Sequence, residues 1–338
     1  MTNVRADVIG LQPSPTVGDT TPQQRRWRPT RSQLAWGTWA AVTMTSIALY
    51  GIPKQQPMLF LLIGLGLGAA TVTNPRSWAK LVRDWLPLYF ILALYEELRG
   101  RADEWGAAHI YPQINFDRWL FGGVVPTVRL QHLLYTPGHL SGWDYGVFVV
   151  YLSHFFVPLI VAAVLWKFDY SRFRRFVFFF ITLTFAAFTT YALFPAAPPW
   201  LASQTHHALA PTYKILDAVW SHIGLHKGAK LLSASSSRLA NPVAAIPSVH
   251  SAYPVLLMLF FWRSAGRWRW LLPIYPLAMA FTLVYTAEHY VFDIILGWLY
   301  AIVVYFVGKQ ALYWWANQRR NGKRAVAVTV NSRGAPSL

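Results

Sequence analysis

The sequence predicts an all-α fold, a polytopic membrane helix bundle of about eight transmembrane helices. Hydrophobic residues make up 55% of the 338 residues and charged residues only 13%, whereas an ordinary soluble domain carries about 25% charge. Eight segments are apolar over roughly the length that a bilayer requires. The charges lie between these segments, outside the lipid core where a charge is costly. The net charge of +17 therefore reflects membrane topology, and we expect no nucleic-acid partner.

The eight apolar segments define the predicted helices. The third is the shortest, because its apolar run ends at Glu96 and Glu97. In the second, the spacing of Gly64 and Gly68 is typical of close helix packing in membranes. In chain order the segments are residues 34–50, 58–73, 85–95, 143–166, 176–194, 248–262, 268–285 and 290–315.

The distribution of lysine and arginine orients the chain. With both termini on the cytoplasmic side, 21 of the 30 basic residues lie on the inner side and nine on the outer side. This bias follows the positive-inside rule. The two long segments 99–142 and 196–247 then lie outside. Within them, residues 119–135 form an amphipathic stretch that fits the membrane interface, and residues 212–224 fit a short helix.

We divide the chain into four parts on these grounds. Residues 1–33 are polar and rich in proline, threonine and glutamine, which predicts a disordered cytoplasmic tail. Residues 34–84 hold two N-terminal transmembrane helices, residues 85–316 a six-helix membrane core, and residues 317–338 a basic cytoplasmic tail.

Two short motifs carry the candidate chemistry. Pro-Ser-Val-His at residues 247–250 opens the sixth helix, and Glu-His-Tyr-Val-Phe-Asp at residues 288–293 joins the seventh helix to the eighth. Between His250 and His289 the chain descends one helix and returns along the next, about 25–30 Å each way. Both histidines should therefore lie at the same outer level.

The residue types in these motifs fit phosphoryl transfer. His289 and Asp293 are four residues apart, which places them on one face of a helix. The carboxylate can accept one imidazole N–H and leave the other ring nitrogen as a nucleophile. His250 can donate a proton to a leaving alkoxide. Ser248 and the N–H groups that open the sixth helix can bind phosphate oxygens.

The motifs resemble the second and third signatures of the type 2 phosphatidic-acid phosphatase superfamily. Residues 194–200 (FPAAPPW), 241–246 (NPVAAI) and 251–254 (SAYP) are similar to its inositol phosphorylceramide synthase-like branch. The resemblance covers residues 85–315 and implies a six-helix phosphatase-like core. It implies that His289 forms a phosphohistidine, that Asp293 assists and that His250 protonates the leaving group.

The sequence departs from the superfamily at the residues that usually hold the phosphate. Residues 194–200 contain neither lysine nor arginine, and Thr282 and Leu283 stand where the third signature has Ser-Arg. Substitute cations must come from elsewhere. Arg99, Arg101 and Arg238 are the outer-face candidates, because each lies near a predicted helix end at the site.

Several residues allow more than one interpretation. His154 either lines the site or is packed within the bundle, and the adjacent His206 and His207 make a poor metal pair. A zinc site from His250, His289 and Asp293 is less favoured than metal-free chemistry, so we expect no cofactor.

We expect an enzyme in the plasma membrane with an extracytoplasmic site. Its substrate would be a lipid phosphate or phospholipid, and a lipid or polyol could be the acceptor. A lipid transporter or flippase is the alternative, although such proteins often show internal repeats and we find none. A non-catalytic scaffold would leave the histidines and Asp293 unexplained.

Overall fold

The protein is described by a computed structural model that covers residues 30–50, 56–101, 106–223 and 243–333. These residues are helical apart from turns, a 3-10 helix and isolated β-bridges. The all-α fold class is therefore confirmed. Residues 1–29 and 334–338, which belong to the predicted tails, lie outside the described residues.

The α-helices of the described residues follow the predicted segments, with four short additional helices in the two outer loops. A 3-10 helix, Gly266–Leu271, lies between the tenth and eleventh α-helices. The helices are α1 (Arg31–Tyr50), α2 (Gln56–Thr71), α3 (Pro75–Gly100), α4 (Tyr111–Leu120), α5 (Pro126–Leu134), α6 (Gly142–Phe168), α7 (Tyr170–Leu193), α8 (Pro199–Gln204), α9 (Ile215–His222), α10 (Val249–Phe261), α11 (Ile274–Tyr285) and α12 (Val291–Arg333).

Length and composition mark several of these helices as membrane-spanning. Within the described residues, Gly142–Phe168, Tyr170–Leu193 and Val291–Arg319 are long and apolar enough to cross a bilayer, and Met58–Thr71 and Val249–Phe261 are apolar but shorter. The last helix continues beyond the predicted span to Arg333. It therefore extends into the part that we expected to be a cytoplasmic tail.

Helix α3 is longer than predicted. It begins at Pro75, with the Asn74 side chain accepting the N–H of Arg76 as a cap, and the predicted domain boundary after residue 84 falls inside it. The predicted segment starts only at residue 85, because segments were selected as apolar runs and the first turns of α3 are polar. Its Asp84 accepts the indole N–H of Trp166 at 3.0 Å, so this charge is partnered within the bundle.

The amphipathic stretch predicted at residues 119–135 contains the last two residues of α4, a turn and all of α5. Helices α4 and α5 are separated by a turn that contains Gly122 and Gly123, at φ values of 68° and 93°. Only glycine adopts such values readily, and this conformation ends α4. The helix predicted at residues 212–224 is present as α9.

The links between helices fall at two opposite ends of the bundle. At one end Arg172, in the first turn of α7, donates to the hydroxyl of Ser264 after α10 at 2.8 Å. At the other end Tyr191, near the end of α7, donates to the carbonyl of Pro247 at 2.8 Å. The basic links after α6 and α10 therefore share one end, and the two motifs lie at the other.

The bundle core lies between α7, α10 and α12. Phe176, Leu183, Leu256 and Ala301 are each at most 1% exposed and belong to one apolar cluster. This packing fixes α10 and α12 relative to each other. The start of each of these two helices carries one of the histidine motifs.

Candidate active site

The two motif histidines meet where α10 and α12 begin. His250 is the second residue of α10, and His289 lies two residues before α12. The Nε2 atom of His289 lies 3.4 Å from the Nδ1 atom of His250. Helices α10 and α11 thus return the chain to the level from which it started, as the hairpin topology predicted.

His289 is oriented by the carboxylate of Asp293. Its Nδ1 atom lies 3.3 Å from Oδ2 of Asp293, which is fully buried and also accepts the N–H of Tyr290 at 3.0 Å. The expectation that His289 and Asp293 share a helical face is wrong in detail, because His289 precedes the helix. The contact forms nonetheless, since Asp293 lies in the first turn and reaches back. The Nε2 atom of His289 therefore faces His250.

Ser248 caps the helix that carries His250. Its side-chain oxygen accepts the N–H of Ser251 at 3.3 Å, and its own N–H donates to the carbonyl of Asp293 at 3.0 Å. Because this bond uses the oxygen as an acceptor, the hydroxyl keeps a proton that it can donate. Ser248 thus links the two motifs directly through the backbone of Asp293.

Close packing at Gly297 holds the two helix starts together. A Cβ atom at this position would lie 2.3 Å from the carbonyl oxygen of Ser248 and 2.6 Å from Oγ of Ser251. The first of these atoms belongs to the backbone and cannot rotate away. Any larger residue at position 297 must therefore push α12 away from α10.

We predict that Gly297→Ala destabilises the protein by about 1–3 kcal/mol, the usual cost of overpacking. Unfolding of the purified protein in detergent measures this effect. Gly64→Ala is the matched control, because a Cβ atom there meets nothing within 4 Å. Equal stability of the two variants would show that α10 and α12 do not need this close approach.

The ring of His250 is enclosed by two side chains of α6. Tyr151 stacks on it at 5.2 Å between ring centroids, and His154 lies at 4.1 Å. His154 is buried, with 4% of its surface exposed. His154, which the sequence left open, therefore packs against the ring of His250.

Arg99 is the predicted phosphate-binding cation that lies at the same end of the bundle as the histidines. It lies at the end of α3, pairs with Glu96 at 2.8 Å and has a side chain that is 25% exposed. Tyr95, one turn earlier on α3, contacts Phe188 near the end of α7 at 6.4 Å between ring centroids, so α3 ends at the same end of the bundle as the histidines. A cation there is a candidate partner for a phosphate that is bound between them.

Of the other two predicted arginines, Arg101 is described by the structure and is not brought to the site. Arg101 pairs with Glu97, and its side chain is 61% exposed. Arg238 lies outside the described residues. Of the other histidines, His206 and His207 are exposed after α8.

One buried carboxylate at the site, Asp117 of α4, is absent from the residues predicted from the sequence. It accepts the N–H of Val291 with one oxygen, at 3.1 Å, and the N–H of Phe292 with the other, at 3.0 Å. Burial, together with the nearby charge of Asp293, raises the pKa of Asp117 to about 6. Its position one turn after Gln113, on the buried face of α4, was the available signal.

Comparison with known proteins places the chain in a family. Residues 114–307 match the family model of the PAP2 superfamily. No solved structure matches.

Two curated relatives are similar to parts of the chain. The phosphoinositol dihydroceramide synthase of Bacteroides thetaiotaomicron is 29% identical over 199 residues, covering 54% of this chain and 61% of the relative. The inositol phosphorylceramide synthase of Candida albicans is 25% identical over 227 residues, covering 65% of this chain and 46% of the relative. The chain thus matches less than two thirds of either relative. The family match spans more than half of the chain and includes both histidine motifs, and the chain belongs to the PAP2 superfamily.

Proposed function

We propose that the protein is a membrane phosphotransferase or phosphatase that acts on lipid phosphate esters through a phosphohistidine at His289. The observation that carries this proposal is the placement of His289 between Asp293 and His250. One ring nitrogen faces a carboxylate and the other faces a second histidine. This is the arrangement that a nucleophile with an orienting base and a neighbouring acid requires.

The first step forms a bond between Nε2 of His289 and the phosphorus. The bond from phosphorus to the leaving oxygen breaks, and protonated His250 gives its proton to that oxygen. Asp293 accepts the Nδ1–H of His289 and stabilises the positive charge that the ring acquires. The facing nitrogens are only 3.4 Å apart, so the two rings must separate when a phosphoryl group enters.

The second step transfers the phosphoryl group to an acceptor hydroxyl. The acceptor oxygen attacks phosphorus, the bond to Nε2 breaks, and His250 takes the acceptor proton. Water as acceptor gives hydrolysis, whereas a lipid alcohol or polyol gives transfer. The names of both relatives favour transfer of a phosphoinositol group to a ceramide-type alcohol.

A panel of lipids tests this proposal. Purified protein in mixed micelles receives phosphatidylinositol with or without dihydroceramide, and separately phosphatidic acid. We expect a new phosphoinositol lipid only when both lipids are present. Release of inorganic phosphate from phosphatidic acid would instead identify a phosphatase. No product from any of these lipids would overturn the proposal.

We also propose that the site faces away from the cytoplasm, in the plasma membrane, and that both termini are cytoplasmic. The basic links after α6 and α10 lie at the end of the bundle opposite the histidines. Basic links are expected on the cytoplasmic side, which supports a site on the other side of the membrane. The catalytic core would consist of α3 to α12, with α1 and α2 as an N-terminal addition.

Cysteine labelling tests this orientation, since the chain has no cysteine. We predict that a membrane-impermeant thiol reagent labels Thr205→Cys, an exposed position after α8, on intact cells. Ser264→Cys, exposed at the opposite end, should react only after the membrane is broken. The reverse pattern would place the site on the cytoplasmic side.

A further inference from the structure

Helix α4 joins the membrane surface to the candidate active site. On one face, Gln113, Ile114 and Asp117 are fully buried. On the other, Tyr111 and Trp119 are 58% and 77% exposed, as expected for a helix that lies along the interface. The buried face contacts the start of α12 through Asp117.

The start of α12 depends on two carboxylates. The first N–H groups of a helix have no partner within the helix. Here Asp293 accepts the N–H of Tyr290, and Asp117 accepts those of Val291 and Phe292. Three successive backbone donors are thus held by side chains, and the helix dipole further favours negative charge at this end.

The three backbone donors lie between His289 and Asp293, so the side chains that bind them affect both residues. They directly follow His289, and they include the first residues of the helix that carries Asp293. Within the described residues, no hydrogen bond joins Asp117 to the side chain of His289 or of Asp293. Asp117 instead binds the backbone between these two residues.

We propose that Asp117 is a positioning residue that keeps the side chains of His289 and Asp293 in their positions relative to His250. Both of its oxygens are used, and each accepts one N–H. An asparagine of the same size can accept only one, because its NH₂ group would face the second N–H. Asparagine at position 117 therefore tests the two hydrogen bonds while volume stays constant. The catalytic part of this inference rests on the proposed function, whereas the backbone part does not.

The matched control is Asp169, which caps α7 at the opposite end of the bundle. Its side chain accepts the N–H of Arg172 at 3.0 Å. Asp169→Asn is therefore the same substitution at a helix start, remote from the histidines. It reports what the loss of a capping carboxylate alone does to the protein.

The test measures the kcat and KM of Asp117→Asn and Asp169→Asn on the lipid substrate, and the hydrogen exchange of residues 289–294. For Asp117→Asn we expect kcat to fall about 10- to 100-fold, the range found when a group that orients a metal-ligating histidine is lost. KM should stay within about threefold, and residues 289–294 should exchange faster. Asp169→Asn should match the wild type in all three measurements.

Several results would overturn this inference. An Asp117→Asn variant with wild-type kcat would remove the positioning role, and one that fails to fold would make Asp117 a determinant of global stability instead. If the wild type is inactive on every lipid, the proposed function fails. The exchange comparison alone then decides whether Asp117 holds this turn, and unchanged exchange would reject it.

Discussion

His289→Ala is expected to lower turnover by at least about 10⁴-fold, because it removes the atom that forms the covalent intermediate. Losing a nucleophile is among the most damaging single changes known in enzymes. His250→Ala should be comparably severe, since the leaving oxygen then departs without a proton. Turnover of the lipid substrate by protein purified in detergent measures both effects.

Two further variants calibrate this result. Asp293→Asn should leave a small but measurable rate, because Asp293 orients His289 without reacting. His132→Ala changes an exposed histidine of α5 and should leave turnover within about twofold of the wild type. Near-normal turnover in His289→Ala or His250→Ala would contradict the mechanism.

Arg99→Ala is expected to lower turnover by about 10³-fold. Charge on the oxygens of the transferring phosphoryl group must be stabilised, and an arginine in this role commonly contributes 10³-fold or more. Arg99→Lys should still lose about 10-fold, because a lysine keeps the charge without the forked guanidinium geometry. The lysine variant also preserves a partner for Glu96, whose side chain is only 14% exposed.

The other arginines of the outer face serve as controls. Arg101→Ala should be nearly silent, since the Arg101 side chain is exposed and pairs with Glu97. Arg118→Ala and Arg129→Ala should also have small effects. Arg238→Ala tests the remaining predicted cation, which lies outside the described residues. Full activity of both Arg99 variants would mean that the phosphate is bound by a different group.

The sequence predicted the site in part because helix topology relates distant residues. His250 and His289 lie 39 residues apart, yet a helix down and a helix back bring them within 3.4 Å. The choice between Arg99 and Arg101 was beyond this reasoning. Two residues apart on a helix they project about 200° from each other, and only the packing of α3 decides that the Arg99 side chain is 25% exposed and the Arg101 side chain 61%.

Asp117 was missed for a related reason. A single carboxylate in a long outer segment is normally a solvated charge. Its role depends on a tertiary contact with the backbone of Val291 and Phe292, more than 170 residues later in the chain. Backbone donors are present at every residue except proline, so no side-chain pattern marks them as partners.

The division of the outer stretch into α4 and α5 was, by contrast, within reach. The pair Gly122-Gly123 is a strong turn signal. The predicted amphipathic stretch ran across this pair undivided. In the structure these two glycines adopt positive φ values between α4 and α5.

The measurement that most directly tests the central claim is the trapping of a phosphorylated enzyme. Protein is mixed with a phospholipid donor labelled at its phosphorus, without acceptor, and quenched on the millisecond scale in base, where a histidine phosphoramidate survives. We predict label on the wild-type protein, located at His289 by peptide mass spectrometry, absent from His289→Ala and discharged when acceptor is added. Product formation without labelled enzyme at any time, or undiminished label in His289→Ala, would contradict a phosphohistidine at His289.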